Sequence, residues 1–123
     1  MNKQYYFVYG TLKKGYCNHK LLRDSKKIRD YITRPEYSMV NLQSFPGVVK
    51  NGNTAIHGEI YEVVDEMIEK SLDKLEGYYK PNNKENLFNK EYFDIEGEKV
   101  FIYILNTSKV AIEKYQIIPT GKW

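Results

Sequence analysis

A chain of 123 residues, 41% hydrophobic and 28% charged, can bury one core and is too short for two, so residues 1–123 are expected to form one domain and no disordered chain. Its net charge of +3 comes from separate lysine clusters, Lys13-Lys14 and Lys26-Lys27 among them, which is not the dense basic stripe of a nucleic-acid surface. The single cysteine, Cys17, excludes a disulfide framework and points to a reducing cytoplasm.

The N-terminal Met1-Asn2-Lys3-Gln4 lacks the apolar stretch of a secretory leader. No apolar run approaches the roughly 20 residues of a membrane span. Gln4 to Tyr9 is aromatic and β-branched and stops at Gly10, which predicts a strand buried on both faces and closed by a turn. Lys13 to Tyr16 is polar loop, and Asn18 is placed to cap a short helix over His19 to Leu22. Two strands follow, Lys27 to Thr33 and Tyr37 to Leu42, separated near Arg34-Pro35. Pro46-Gly47 and Asn51-Gly52-Asn53 carry turn signals. Thr54 to Val63 predicts a long strand, with Gly58 as a bulge or a point of close approach.

The clearest helix runs from Asp65 to Glu76. Asp65 is its N-cap, and Gly77 supplies the left-handed residue that ends it. Helical spacing assigns Val64, Ile68, Leu72 and Leu75 to the buried stripe, with Glu66 and Asp73 toward solvent. Tyr78 to Leu87 is a polar loop. Phe88 to Ile95 and Val100 to Leu105 are strands joined by Glu96-Gly97-Glu98, and the segment to Trp123 is at most a short closing element. About six strands and one principal helix imply a small mixed α+β domain, a partly closed β-barrel with the helix at one side.

Two places stand out chemically. A strand that stops at Gly10 exposes successive backbone N–H groups at Tyr9-Gly10-Thr11-Leu12, which can cradle a carboxylate or oxyanion, and Thr11 adds a hydroxyl. A plain tight turn has the same local sequence. Glu76 lies at the edge of the apolar stripe and at the negative end of the helix dipole. Partial burial and the dipole both raise a carboxyl pKa, which suits a base near neutral pH. A solvated Glu before a C-cap glycine is the alternative. Tyr103 reads equally as a core or a pocket tyrosine. Cys17 and His19 form no recognisable nucleophile turn, and the two histidines have no metal-ligand spacing.

Phe7-Val8-Tyr9-Gly10-Thr11-Leu12-Lys13-Lys14-Gly15, with Asn18-His19 and Leu21-Leu22 behind it, resembles the gamma-glutamylcyclotransferase-like superfamily, closest to its gamma-glutamylaminecyclotransferase branch. Gly58 to Val63 is similar to the family's central strand. Leu72 to Tyr78 is similar to the helix end bearing its catalytic Glu, and Phe101-Ile102-Tyr103 to its late pocket strand. The resemblance spans residues 5 to 105, departing at the long loop 78–87, at Phe88 for a frequent Tyr and at Lys90 for a frequent Arg. It implies Glu76 as catalytic residue, with Tyr9, Gly10, Thr11, Leu12 and Tyr103 binding substrate. The implied reaction is intramolecular cleavage of a gamma-glutamyl amine or amide to 5-oxoproline and a free amine, with no cofactor and no metal. The expected partner is that small-molecule substrate, with no nucleic acid and no membrane, for a monomer or homodimer. A non-catalytic ligand-binding protein on the same fold is the alternative, and a weak nucleic-acid binder using its Lys and Tyr residues is a third.

Overall fold

The computed structural model describes residues 3–123, so the leader reading at Met1 and Asn2 lies outside it. The chain is α+β, with one principal helix. The strands are β1 (Gln4–Val8), β2 (Lys26–Ile32), β3 (Tyr37–Asn41), β4 (Pro46–Lys50), β5 (His57–Val63), β6 (Phe88–Ile95), β7 (Glu98–Leu105) and β8 (Gln116–Ile117), and the helix is α1 (Glu66–Leu75). A five-stranded sheet has the order β2-β5-β1-β7-β6, and a three-stranded sheet the order β4-β3-β8. Among the described residues the two sheets share no ladder, so the expected barrel does not close, and there are two more strands than the sequence pattern suggested.

β1 lies at the centre, antiparallel to β5 and parallel to β7. Its alternation divides the core between the two sides of the large sheet. Tyr6 and Val8 join Leu72 of α1, Phe88 and Tyr103 on one side. Phe7 and Tyr9 join Met39, Val48, Ile60 and Ile102 on the other. The strand is thus covered on both faces, as its apolar run implies.

The turn chemistry accounts for several boundaries. Asn51 has a φ of 68°, as expected for an Asn-Gly turn. Glu96 and Gly97 have φ values of 51° and 85°, the two-residue hairpin geometry that matches strand twist. Pro46-Gly47 is different: it opens β4 instead of forming a turn, and the bend falls earlier, at Gln43, with a φ of 81°. Proline is tolerated there because it is the first residue of its strand. Thr54 to Ile56 precede β5; Thr54 forms an isolated bridge with Tyr37, and Ile56 exchanges hydrogen bonds with Thr33.

Gly58 is a point of close approach. A Cβ there would collide with the Val8 carbonyl and lie 2.6 Å from Cζ of Phe7. The register shift between β2 and β5 lies elsewhere, between Lys27 and Arg29 of β2 and opposite Tyr61 and Ile60, whereas Gly58 pairs regularly with Tyr31. Gly58→Ala should therefore cost about 1–3 kcal/mol through overpacking of the central strand pair. A thermal melt checks this; an unchanged midpoint would contradict the packing account.

Candidate active site

The site forms where β1 runs out. After Val8 the chain bends at Gly10, and a Cβ on Gly10 would lie 2.8 Å from Pro46 Cδ, so only glycine lets the bend pass beneath β4. The next residues turn back and bind themselves. Lys13 N–H donates to the Gly10 carbonyl (3.1 Å) and Asn18 N–H to the Thr11 carbonyl (2.9 Å). His19 Nδ1 donates to the Leu12 carbonyl (3.0 Å). All three carbonyls are thus occupied, and among the described residues the N–H groups of Gly10, Thr11 and Leu12 have no protein acceptor. This is the electronic arrangement of an anion-holding nest.

Asn18 does not cap the 3-10 turn that follows it, His19–Leu22. Its Nδ2 reaches back to Thr11 Oγ1 at 2.8 Å. With its oxygen accepting from Asn18, the Thr11 hydroxyl keeps its own proton to donate. Asn18 lines the cavity beside the loop, and sequence reading gave it only the cap role.

α1 closes the site from the other side. Asp65 Oδ1 accepts from Met67 N–H at 2.8 Å as N-cap, Glu76 occupies the C-cap, and Gly77 has a φ of 66°. The apolar stripe differs from expectation. Leu72 is fully buried, but Val64 and Leu75 are 44% and 38% exposed. Ile68 does pack on the core beside Leu72, and the inward face continues with Glu69, Asp73 and Glu76, which lie three or four residues from Leu72 or from one another and therefore share that side of the helix. Asp73, expected toward solvent, accepts from the Tyr103 hydroxyl at 2.6 Å and pairs with Lys90 at 3.1 Å. Glu69 accepts from the Tyr6 hydroxyl at 2.7 Å. The tyrosines on β1 and β7 supply donors that turn the acidic helix face inward, a pairing hydropathy spacing cannot register.

Glu76 faces a cavity of about 130 Å³ that is also lined by Tyr9, Gly10, Thr11, Leu12 and Tyr103. The residues singled out from sequence thus meet at one place. Two of them have hydroxyls that are already engaged. Tyr9 Oη donates to the Tyr103 carbonyl at 2.8 Å, tying the end of β1 to β7. Burial pushes the phenols of Tyr9 and Tyr103 well above the usual tyrosine range, and the carboxylates of Glu76 and Asp73 add to the shift of Tyr103. Both stay protonated at all ordinary pH values. Glu76 is half-buried as a residue, yet its carboxyl is desolvated and has no compensating donor or cation among the described residues, and burial pushes its pKa up to about 7. No group of three or more His, Cys, Asp or Glu side chains among the described residues is arranged to hold a metal ion.

A match to the family model for gamma-glutamyl cyclotransferase, AIG2-like, covers residues 6–123. The chain belongs to this family. The match extends past residue 105 through the C-terminal segment, where sequence reading found no counterpart. A Vibrio cholerae protein named, provisionally, as a gamma-glutamylcyclotransferase is 44% identical over 70 residues, covering 57% of this chain and 59% of that protein. The gamma-L-glutamyl-butirosin B gamma-glutamyl cyclotransferase of Niallia circulans is 33% identical over 84 residues, covering 68% of this chain and 53% of that one. The matched stretches therefore take in little more than half the length of these relatives. The crystal structure of a mouse AIG2-like protein superposes with a TM-score of 0.77 at 22% identity, covering 100% of this chain and 89% of that one, which is a likeness of fold.

The raised Glu76 pKa has a consequence for stability. The folded chain keeps a proton on Glu76 up to about pH 7, whereas the unfolded chain releases it near the ordinary Glu value of 4.5. Between those values the folded state binds more protons, so this residue makes stability fall as pH rises, by up to about 3 kcal/mol. Glu76→Gln should remove that fall. The variant should be more stable than the parent at about pH 8, with the gap closing only as the pH falls to about 4. Urea midpoints across this range test it, and parallel curves for the two proteins would show that Glu76 is not desolvated.

Proposed function

We propose that the chain is a gamma-glutamyl cyclotransferase that cleaves a gamma-glutamyl amine or amide to 5-oxoproline and the free amine. The observation that carries this reading is Glu76, a partnerless carboxyl with a pKa pushed up to about 7, lining the same cavity as the unpaired N–H groups of Gly10, Thr11 and Leu12. Membership of the family and the named activity of the Niallia circulans relative support it.

In this reaction the substrate attacks itself. The three N–H groups and the Thr11 hydroxyl hold the α-carboxylate of the glutamyl head. This fixes the α-nitrogen near the δ-carbonyl and spares the entropy of bringing them together. The ionised Glu76 removes a proton from the α-ammonium. The freed nitrogen pair forms a bond to the δ-carbon, closing the five-membered ring and giving a tetrahedral centre. Glu76 then passes its proton to the leaving nitrogen as the old C–N bond breaks. The second proton lost from the ring nitrogen leaves with the released amine as its ammonium, so atoms and charge balance. One carboxyl with a pKa near neutrality is suited to both transfers. No step requires a metal or an organic cofactor. Tyr103, fixed by its bond to Asp73, keeps an oxygen lone pair with which to accept from the α-ammonium.

A purified-protein assay for 5-oxoproline release from gamma-glutamyl amides tests this directly and separates an enzyme from a ligand-binding protein. Glu76→Gln should fold and bind substrate with turnover reduced by about 10²–10⁴. Glu66→Gln, on the exposed face of the same helix, should leave turnover near that of the parent. Because the base must be ionised to act, the parent kcat/KM should rise with pH through about 7 and level off above it. Parental turnover by Glu76→Gln would make the base assignment wrong.

A further inference from the structure

From the bonds behind Tyr103 we infer that Asp73 and Lys90 are positioning residues for the reaction: together they fix the phenol of Tyr103 as a hydrogen-bond acceptor for the α-ammonium of the glutamyl head. The inference rests on the cyclotransferase reading. Neither residue lines the cavity, whereas Tyr103 does, so their route to the substrate is through Tyr103. Lys90 of β6 and Tyr103 of β7 are direct partners in the ladder, and their side chains rise from the same face of the sheet. Asp73 of α1 reaches down to both. The Tyr103 hydroxyl donates to Asp73 Oδ1 at 2.6 Å, and Lys90 Nζ meets the same oxygen at 3.1 Å and Oδ2 at 3.5 Å.

This arrangement sets the direction of the proton. A carboxylate paired with an ammonium group offers only acceptors, so the proton in the 2.6 Å bond comes from Tyr103. The Tyr103 carbonyl is held as well, by the Tyr9 hydroxyl at 2.8 Å. The neighbouring phenol, Tyr6, gives its own proton to Glu69 at 2.7 Å and so does not take the free lone pair of Tyr103. Side chain and backbone of Tyr103 are thus both fixed, and its oxygen has a lone pair to offer and no proton to give. The Glu76 carboxylate contributes to the raised pKa of Tyr103, so the phenol lies within reach of that charge. An α-ammonium between the two has an acceptor for one proton while Glu76 removes another. Lys90 is what keeps Asp73 in place. Its side chain is 13% exposed and that of Asp73 26%. Without the cation, a half-buried carboxylate gains by turning to water, and the Tyr103 hydroxyl it releases is free to point its proton at the ammonium.

A substrate and its des-amino analogue separate this role from one of merely holding the fold. The substrate is gamma-glutamyl-ethylamide, read as 5-oxoproline release. The analogue is N-ethylglutaramate, which has the same chain and carboxylate but no α-amine; it cannot cyclise and is read as a competitive inhibitor. Lys90→Met should raise KM for the substrate by about 10–100-fold, the loss of one hydrogen bond to a charged group. It should leave the inhibition constant of the analogue within about 2-fold of the parent. Lys90→Arg, which can still pair with Asp73, should keep KM near the parent value. Asp73→Asn should act like Lys90→Met, because its amide N–H can donate to the phenol oxygen and occupy the lone pair; it carries the test if Lys90→Met does not fold. In a Tyr103→Phe background, Lys90→Met should change KM by less than about 2-fold. If KM and the inhibition constant rise together, if KM stays at the parent value in both single variants, or if Lys90→Met raises KM further in the Tyr103→Phe background, the inference is overturned and the cyclotransferase reading stands. Absence of 5-oxoproline from gamma-glutamyl amides in the parent overturns the cyclotransferase reading and the inference with it.

Discussion

The end of β1 is the constraint on which the site depends. A strand covered on both faces must satisfy its backbone groups as it leaves the sheet. At Gly10, Thr11 and Leu12 the chain does this for one half of each peptide. The carbonyls bond to Lys13, Asn18 and His19, while the N–H groups take no protein acceptor among the described residues and the three residues line a cavity. Gly10 is needed because Pro46 passes too close for any side chain. The bonds that shape the loop thus take up its carbonyls and leave its N–H groups without a protein acceptor.

The helix adds the opposing element by a polar route. Its inward face holds three acids around Leu72. Two of them, Glu69 and Asp73, are satisfied by Tyr6, Tyr103 and Lys90. Lys90 also lies over the rings of Tyr6 and Phe101, 4.9 and 4.7 Å from their centroids, so its charge is held between an anion and two aromatic faces. The third acid, Glu76, is left without a partner. A carboxyl desolvated in this way costs stability, and the neighbouring pairs hold the helix in place against that cost. Glu76 is thus the one acid on this face that the described residues leave unsatisfied, and the one whose pKa burial raises to about 7.

The loop from Tyr78 to Leu87 is better ordered than its composition suggests. Asn86 is fully buried. Its Oδ1 accepts from Tyr79 N–H at 2.7 Å and its Nδ2 donates to the Lys80 carbonyl at 2.9 Å. From the β7 side, Asn106 Nδ2 donates to the Asn86 carbonyl at 2.8 Å. Asn86 within the loop and Asn106 just after β7 therefore together fix where Leu87 and Phe88 meet the helix end. The placement of Leu87 and Phe88 beside Glu76 is a product of polar bonding in a segment with little hydrophobic drive of its own.

Local chemistry determined much of this protein. The apolar run of Gln4 to Tyr9, the cap at Asp65 and the left-handed Gly77 placed β1 and α1 to within a residue, because strand burial and helix termination depend on near neighbours. The resemblance carried by Tyr9 to Leu12, Leu72 to Tyr78 and Phe101 to Tyr103 drew the site residues together before any coordinates did. What the sequence could not express was pairing between distant polar groups. Asp73 was assigned to solvent because hydropathy counts a carboxylate as outward-facing, and only a tyrosine 30 residues away reverses that. Asn18 read as a cap because its bond to Thr11 depends on the loop folding back. Pro46-Gly47 read as a turn because only the neighbouring strands make it the start of β4, and the barrel stayed open because sheet closure depends on how two sheets meet. Tertiary structure decided these points, since each is an interaction between groups that are remote in the chain and close only in the folded state.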